Sequence, residues 1–130
     1  MNTKILMATS AIFMGLVGLL LSFLPNEIAN YFNIEATIIT ILFLKILSAL
    51  YLAFGFLNWM AKGTLIGGIY NRPIAIGNLM HFGVGAIALV KVVSKVQVHS
   101  EIIILLTVIY VVLAILFAYV FKTNPTAIKK

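Results

Sequence analysis

A lysine and a histidine, Lys45 and His81, fall deep inside the long apolar runs of this chain, away from their ends. Lys45 lies near the middle of Ile38–Phe56, where a lysine costs about 2.5–3.5 kcal/mol on insertion scales. It is therefore either a functional cation paired with a substrate carboxylate or a side chain that snorkels along its stem to water. His81 admits three chemistries: a proton carrier, a haem ligand, or a polar tie between helices with Tyr51 as a hydrogen-bond partner. A bis-histidine haem needs a second axial ligand. The other histidine, His99, belongs to a connection at the wrong depth. That disfavours haem within one subunit and leaves a haem or metal shared across a dimer axis open.

Other reaction classes lack their residues. Cysteine is absent, which removes disulfides, thiolate metal sites and thiol nucleophiles together. There is no HExxH, P-loop or CxxC pattern, and three glutamates with no aspartate are too few for a Ser–His–acid set beside the other demands on them. The expectation is a protein without catalytic residues, metal or cofactor, leaning away from an enzyme.

The elements that position these side chains are membrane spans. Sixty-three per cent of the 130 residues are apolar and 9% are charged; the mean hydropathy is +1.17. A soluble chain of this size needs more polar surface. Four runs are long enough to cross hydrocarbon: about 5–24, 36–61, 74–93 and 102–121. The fold class expected is all-α, a single domain (1–130) forming an integral membrane four-helix bundle. Lys4 before the first run also fits a signal peptide, but that run is longer than a signal core and no small-x-small site follows it.

Four spans put both termini on one side with Lys4, Lys62, Arg72, Lys122, Lys129 and Lys130, and leave Lys91, Lys95, Glu27, Glu35 and Glu101 on the other. The positive-inside rule makes the first side cytoplasmic and the protein a multi-pass protein of the inner membrane. The net charge of +6 is then explained by topology and anionic headgroups rather than by nucleic acid. Between the first two spans, Ile28, Tyr31 and Phe32 have helical spacing after Pro25. Either a short interfacial helix or a loop with an aromatic anchor fits.

Each span has one small-and-polar face: Ala8, Ala11, Gly15, Gly18 and Ser22; Ser48, Tyr51, Gly55 and Asn58; Gly77, Asn78, His81, Gly85 and Ala88; Thr107, Tyr110, Ala114 and Ala118. Small residues let helices approach closely in lipid. Segments 14–23 and 82–91 echo one another, as an old duplication of a hairpin would.

Depth sorts the polar groups into two layers. Lys45 lies about 14 Å below the outer start of its run and His81 about 10 Å above the inner start of its own. Side chains lean toward the N-terminus of their helix, so these two lean apart. The outer layer is Lys45 with Tyr110 and Thr107. The inner layer, the expected ligand-binding set, is Tyr51, Asn58, Asn78 and His81, capped by Lys62 and Arg72. The latter pair, with Gly63, Gly67 and Gly68 and the start of a helix at Pro73 capped by Asn71, could hold an anionic lipid headgroup. A charged interfacial loop that only keeps the topology signal accounts for the same residues.

A first helix ending in F-L-P-N-E-I, the stretch SALYLAFG, and N-W-M-A-K-G…Y-N-R-P…G-N-L-M-H resemble the DoxX-like group of small bacterial four-helix membrane proteins. The resemblance implies the four-span layout and carries over no catalytic residue. Small multidrug exporters share the length but place a glutamate in the first helix, which is missing here. The leading expectation is an inner-membrane protein that binds a small or amphipathic ligand, or a membrane partner, through its polar interior. The alternatives are a proton-linked transporter using Lys45 and His81 in series, and a non-catalytic assembly factor. A homo-oligomer remains open.

Overall fold

The computed structural model describes residues 2–64, 66, 70–97 and 99–123. Gly67, Gly68, Lys129 and Lys130 lie outside the described residues. Among those described, every element is helical: α1 (Thr3–Phe23), α2 (Pro25–Tyr31), α3 (Ile38–Ala61), α4 (Arg72–Val93) and α5 (Ser100–Thr123). Four of them, α1, α3, α4 and α5, are long and apolar enough to cross a membrane, because hydrocarbon leaves the backbone no partner but itself. The expected all-α fold of four membrane-length helices is what the chain adopts, and a lipid bilayer is the environment these helices suit.

The ends follow local chemistry. α3 begins at Ile38 rather than Ala36 because Thr37 is its N-cap: Thr37 Oγ1 accepts the Thr40 amide at 3.1 Å, satisfying one of the amides a helix start leaves open. The segment after α1 is helical, with Pro25 at its opening position, where the missing N–H costs nothing. It stops at Asn33, which has φ 54°. The Asn33 amide bonds to Asn30 O at 3.0 Å and the Ile34 amide to Ala29 O at 2.9 Å, the paired closure of a left-handed helix stop.

The chain divides into two units, residues 7–61 and residues 1–6 with 62–130. In the first, α1 and α3 run antiparallel and meet at glycines. A Cβ placed on Gly55 would lie 3.1 Å from the Gly15 nitrogen and 3.3 Å from the Ala11 carbonyl oxygen, so the two backbones are in contact with no side chain between them. Gly18 is closed over by Leu52 in the same way, with a Cβ there falling 2.8 Å from Leu52 Cγ. α2 rests against α3, and its Pro25 and Ala29 are buried.

In the second unit α4 and α5 form an antiparallel hairpin. Phe82 and Phe117 stack with centroids 5.8 Å apart and planes 7° from parallel. The Tyr110 ring meets Phe82 edge-on at 5.2 Å. With Leu113 and Val120, also buried, these rings form the seam of the hairpin.

The glycine contact yields a paired prediction. Gly55→Val forces α1 away from α3 and should lower unfolding stability in detergent by about 1–3 kcal/mol, the usual cost of overpacking. A Cβ on Gly15 meets nothing within 4 Å, so Gly15→Ala should be neutral or stabilising by up to about 1 kcal/mol. Thermal unfolding followed by circular dichroism separates the two.

Candidate functional site

The buried stripe of α3 is Ser48, Tyr51, Gly55, Asn58 and Ala61. Two of its polar side chains cross to α1. Ser48 Oγ donates to the Gly18 carbonyl at 2.8 Å, and Asn58 Nδ2 donates to Ser10 Oγ at 3.0 Å, with Met14 Sδ at 3.8 Å. Ser10 in turn donates to the Met7 carbonyl. The two ties flank the glycine contact, so the short side chains reach only because the backbones are already close.

Lys45 is placed differently from this stripe. It is exposed, among Leu42, Phe43 and Ile46, which are exposed as well. Seven residues separate it from Ile38, the start of α3, so it lies about 10 Å along the helix, shallower than a start at Ala36 implies. A lysine stem covers much of such a distance while resting on apolar surface.

In the second unit, α4 carries Arg72, Asn78 and His81, and α5 carries Thr107 and Tyr110. Asn78 is fully buried and its Nδ2 donates to the Ile74 carbonyl one turn back at 3.0 Å. Thr107 Oγ1 donates to the Ile103 carbonyl at 2.6 Å. His81 Nε2 and the Tyr110 hydroxyl lie 3.1 Å apart. The His81 ring also meets Phe82 edge-on, with centroids 5.0 Å apart.

That pairing corrects the separation of His81 and Tyr110 into an inner and an outer layer. Tyr110 sits at the level of Gly85, one turn from His81. A Cβ on Gly85 would fall 2.6 Å from Tyr110 Cδ1, so the tyrosine ring occupies the space a side chain would take. The ring lies against the α4 backbone there, and its hydroxyl spans the remaining turn to His81.

The other expected residues fall as follows. Tyr51 and Asn58 are buried in the first unit; Lys62 is half-exposed just beyond it. Arg72 is exposed in the first turn of α4, its guanidinium 5.0 Å from the centroid of the Phe121 ring. Asn71 is the residue before α4, but its side chain makes no cap hydrogen bond; its carbonyl accepts the Ile74 and Ala75 amides instead. Among the described residues no buried side-chain nitrogen or oxygen lacks a hydrogen-bond partner.

Beside the α1–α3 crossing lies an apolar groove of about 290 Å³, lined by Ala11, Ile12, Gly15 and Leu19 of α1 and Leu52, Gly55, Phe56 and Trp59 of α3. It follows directly from the glycines: Gly18 and Gly55 are packed over, whereas the Gly15 Cβ position opens on empty space. Ser10, Trp59 and Phe121 were not among the expected site residues. The i, i+4 and i+7 spacing of Phe56 and Trp59 with Leu52 is the signal by which this wall could be found. Comparison with family models, curated proteins and solved structures finds no match.

The Tyr110 position makes a second pair of expectations. Tyr110→Phe removes only the hydroxyl and should cost about 0.6 kcal/mol, the average for an interhelical hydrogen bond in a membrane protein. Gly85→Ala displaces the whole ring and should cost about 1–3 kcal/mol. Unfolding in detergent, followed by circular dichroism, distinguishes them by the size of the loss.

Proposed function

We propose that this is a multi-pass protein of the bacterial inner membrane, with both termini cytoplasmic, that holds an amphipathic ligand by its alkyl chain in the groove between α1 and α3. The groove itself carries this reading. It lies within membrane-length helices, it is lined by apolar side chains with the indole of Trp59 at one end, and its floor is a glycine that no neighbour covers. The orientation rests on six basic residues on the terminal side against two on the other.

The lining selects the occupant. The groove is walled by apolar side chains of α1 and α3 and opens where Gly15 has no side chain, a surface along which an alkyl chain can lie. Within a bilayer such a chain gains nothing from leaving water, since it comes from hydrocarbon. Its preference for the groove must come from close packing against a fixed surface.

The polar interior supports a binding role less directly. Ser48, Asn58, Asn78, Thr107 and His81 each already have a hydrogen-bond partner within their own unit. They serve as ties, and no catalytic step is assigned to them. Lys45, exposed on α3, lends no support to a serial Lys45–His81 proton path.

The test uses the protein in lipid nanodiscs with a phospholipid carrying a photoactivatable alkyl chain. Labelled peptides should come from Ala11–Leu19 and Leu52–Trp59, and Gly15→Leu, which fills the groove from its open floor, should lose most of that labelling while keeping its helix content. Labelling spread evenly over all exposed apolar residues, or unchanged by Gly15→Leu, overturns the proposal.

A further inference from the structure

We infer that the end of the α4–α5 hairpin bearing Arg72, Phe121 and Lys122 is a docking surface for the phosphate of an anionic phospholipid headgroup. Arg72 is in the first turn of α4 and Lys122 in the last turn of α5. The antiparallel pairing therefore brings both cations to one end. The Arg72 guanidinium is 5.0 Å from the Phe121 ring centroid. A cation over a ring face is held there by the ring quadrupole, while the in-plane N–H fork of the guanidinium stays open to a bidentate oxyanion.

Among the described residues, no glutamate of the hairpin's own unit lies at this end. Of the three glutamates, Glu101 opens α5 at the other end of the hairpin, and Glu27 and Glu35 belong to the other unit. The two ends of the hairpin thus differ in kind. The Lys91–Lys95 end carries Glu101, whose Oε1 lies 4.0 Å from His99 Nδ1; among the described residues the Arg72 end carries Arg72, Lys122 and the ring of Phe121 and no glutamate. Tyr70 is 95% exposed and Tyr119 is 54% exposed, as expected of side chains that sit at headgroup depth. A surface so charged, placed where a membrane-spanning hairpin leaves the bilayer, is complementary to an anionic lipid phosphate.

This inference rests on the membrane placement and is independent of the alkyl-chain groove. The experiment keeps them apart by varying only the headgroup. Protein in mixed-lipid nanodiscs is released into detergent, and retained lipids are counted by native mass spectrometry, with phosphatidylglycerol and phosphatidylcholine of identical chains in competition. Any groove contribution cancels between the two lipids.

The wild type should retain phosphatidylglycerol preferentially. Arg72→Gln and Lys122→Gln should each reduce the preference about fivefold, the effect of one basic residue near an anionic leaflet. Arg72→Lys should restore it only in part, because an ammonium lacks the planar fork. Lys95→Gln, at the other end, should leave it unchanged. Equal retention of both lipids by the wild type overturns the inference. So does a preference that survives Arg72→Gln, or one that Lys95→Gln lowers equally. Displacement of the lipid by inorganic phosphate at low millimolar concentration would assign the surface to a soluble anion and overturn it as well.

Discussion

A polar side chain inside hydrocarbon has no water to fall back on, and its position is set by where a partner can be found. In this protein the partners lie within the chain. Some polar groups turn back on their own helix, as Asn78 does to Ile74 and Thr107 to Ile103. Others cross to a neighbour, as Ser48 does to Gly18 and Asn58 to Ser10. The crossing type is possible only where backbones nearly touch. The Gly15–Gly55 contact is thus the condition for the two ties that flank it. The glycines and the hydrogen bonds act as one device, and removing either weakens the other.

The same constraint separates structure from chemistry. A side chain whose hydrogen bonds are satisfied inside its own hairpin has little capacity left for a ligand, unless the ligand outcompetes an existing bond. Asn58, Asn78 and His81, the polar residues that attract attention in the sequence, are of this kind. The parts of the molecule that the proposals use are elsewhere: an apolar groove floored by Gly15, whose Cβ position is open, and two cations at the end of the α4–α5 hairpin where, among the described residues, no glutamate of that unit lies. Lys45 joins neither. Exposed on α3 and about two turns from its start, it can satisfy its charge at the membrane surface by extending along the helix.

The spans were legible in the sequence because a run of twenty apolar residues has few foldable outcomes in or out of a membrane. The helix starts were less so, since a single threonine, Thr37, moved α3 by two residues through its side-chain cap. The segment after Pro25 read equally well as helix or loop, and the left-handed Asn33 with its paired hydrogen bonds is what completes the helix. Sorting by depth misplaced Tyr110 relative to His81, because depth along an axis ignores how far a tyrosine reaches once Gly85 clears its path. Of the groove, only the α3 wall of Leu52, Phe56 and Trp59 had a signal in the sequence, and its floor had none. Gly15, Gly18 and Gly55 look alike in a small-residue stripe, and only packing shows that two are covered and one is open.

The basic end of the α4–α5 hairpin shows how far a topology argument extends. Orienting a span requires charge near the correct end and makes no demand on its geometry; a flexible lysine such as Lys122 meets that requirement fully. Arg72 is held over the Phe121 ring at 5.0 Å, which gives up side-chain freedom that topology does not ask for. A cation held over a ring, at a hairpin end where no glutamate of its own unit lies among the described residues, suits the anion proposed above. A charge pattern is enough to orient a span, and the proposal rests on what it does not require, the ring beneath Arg72.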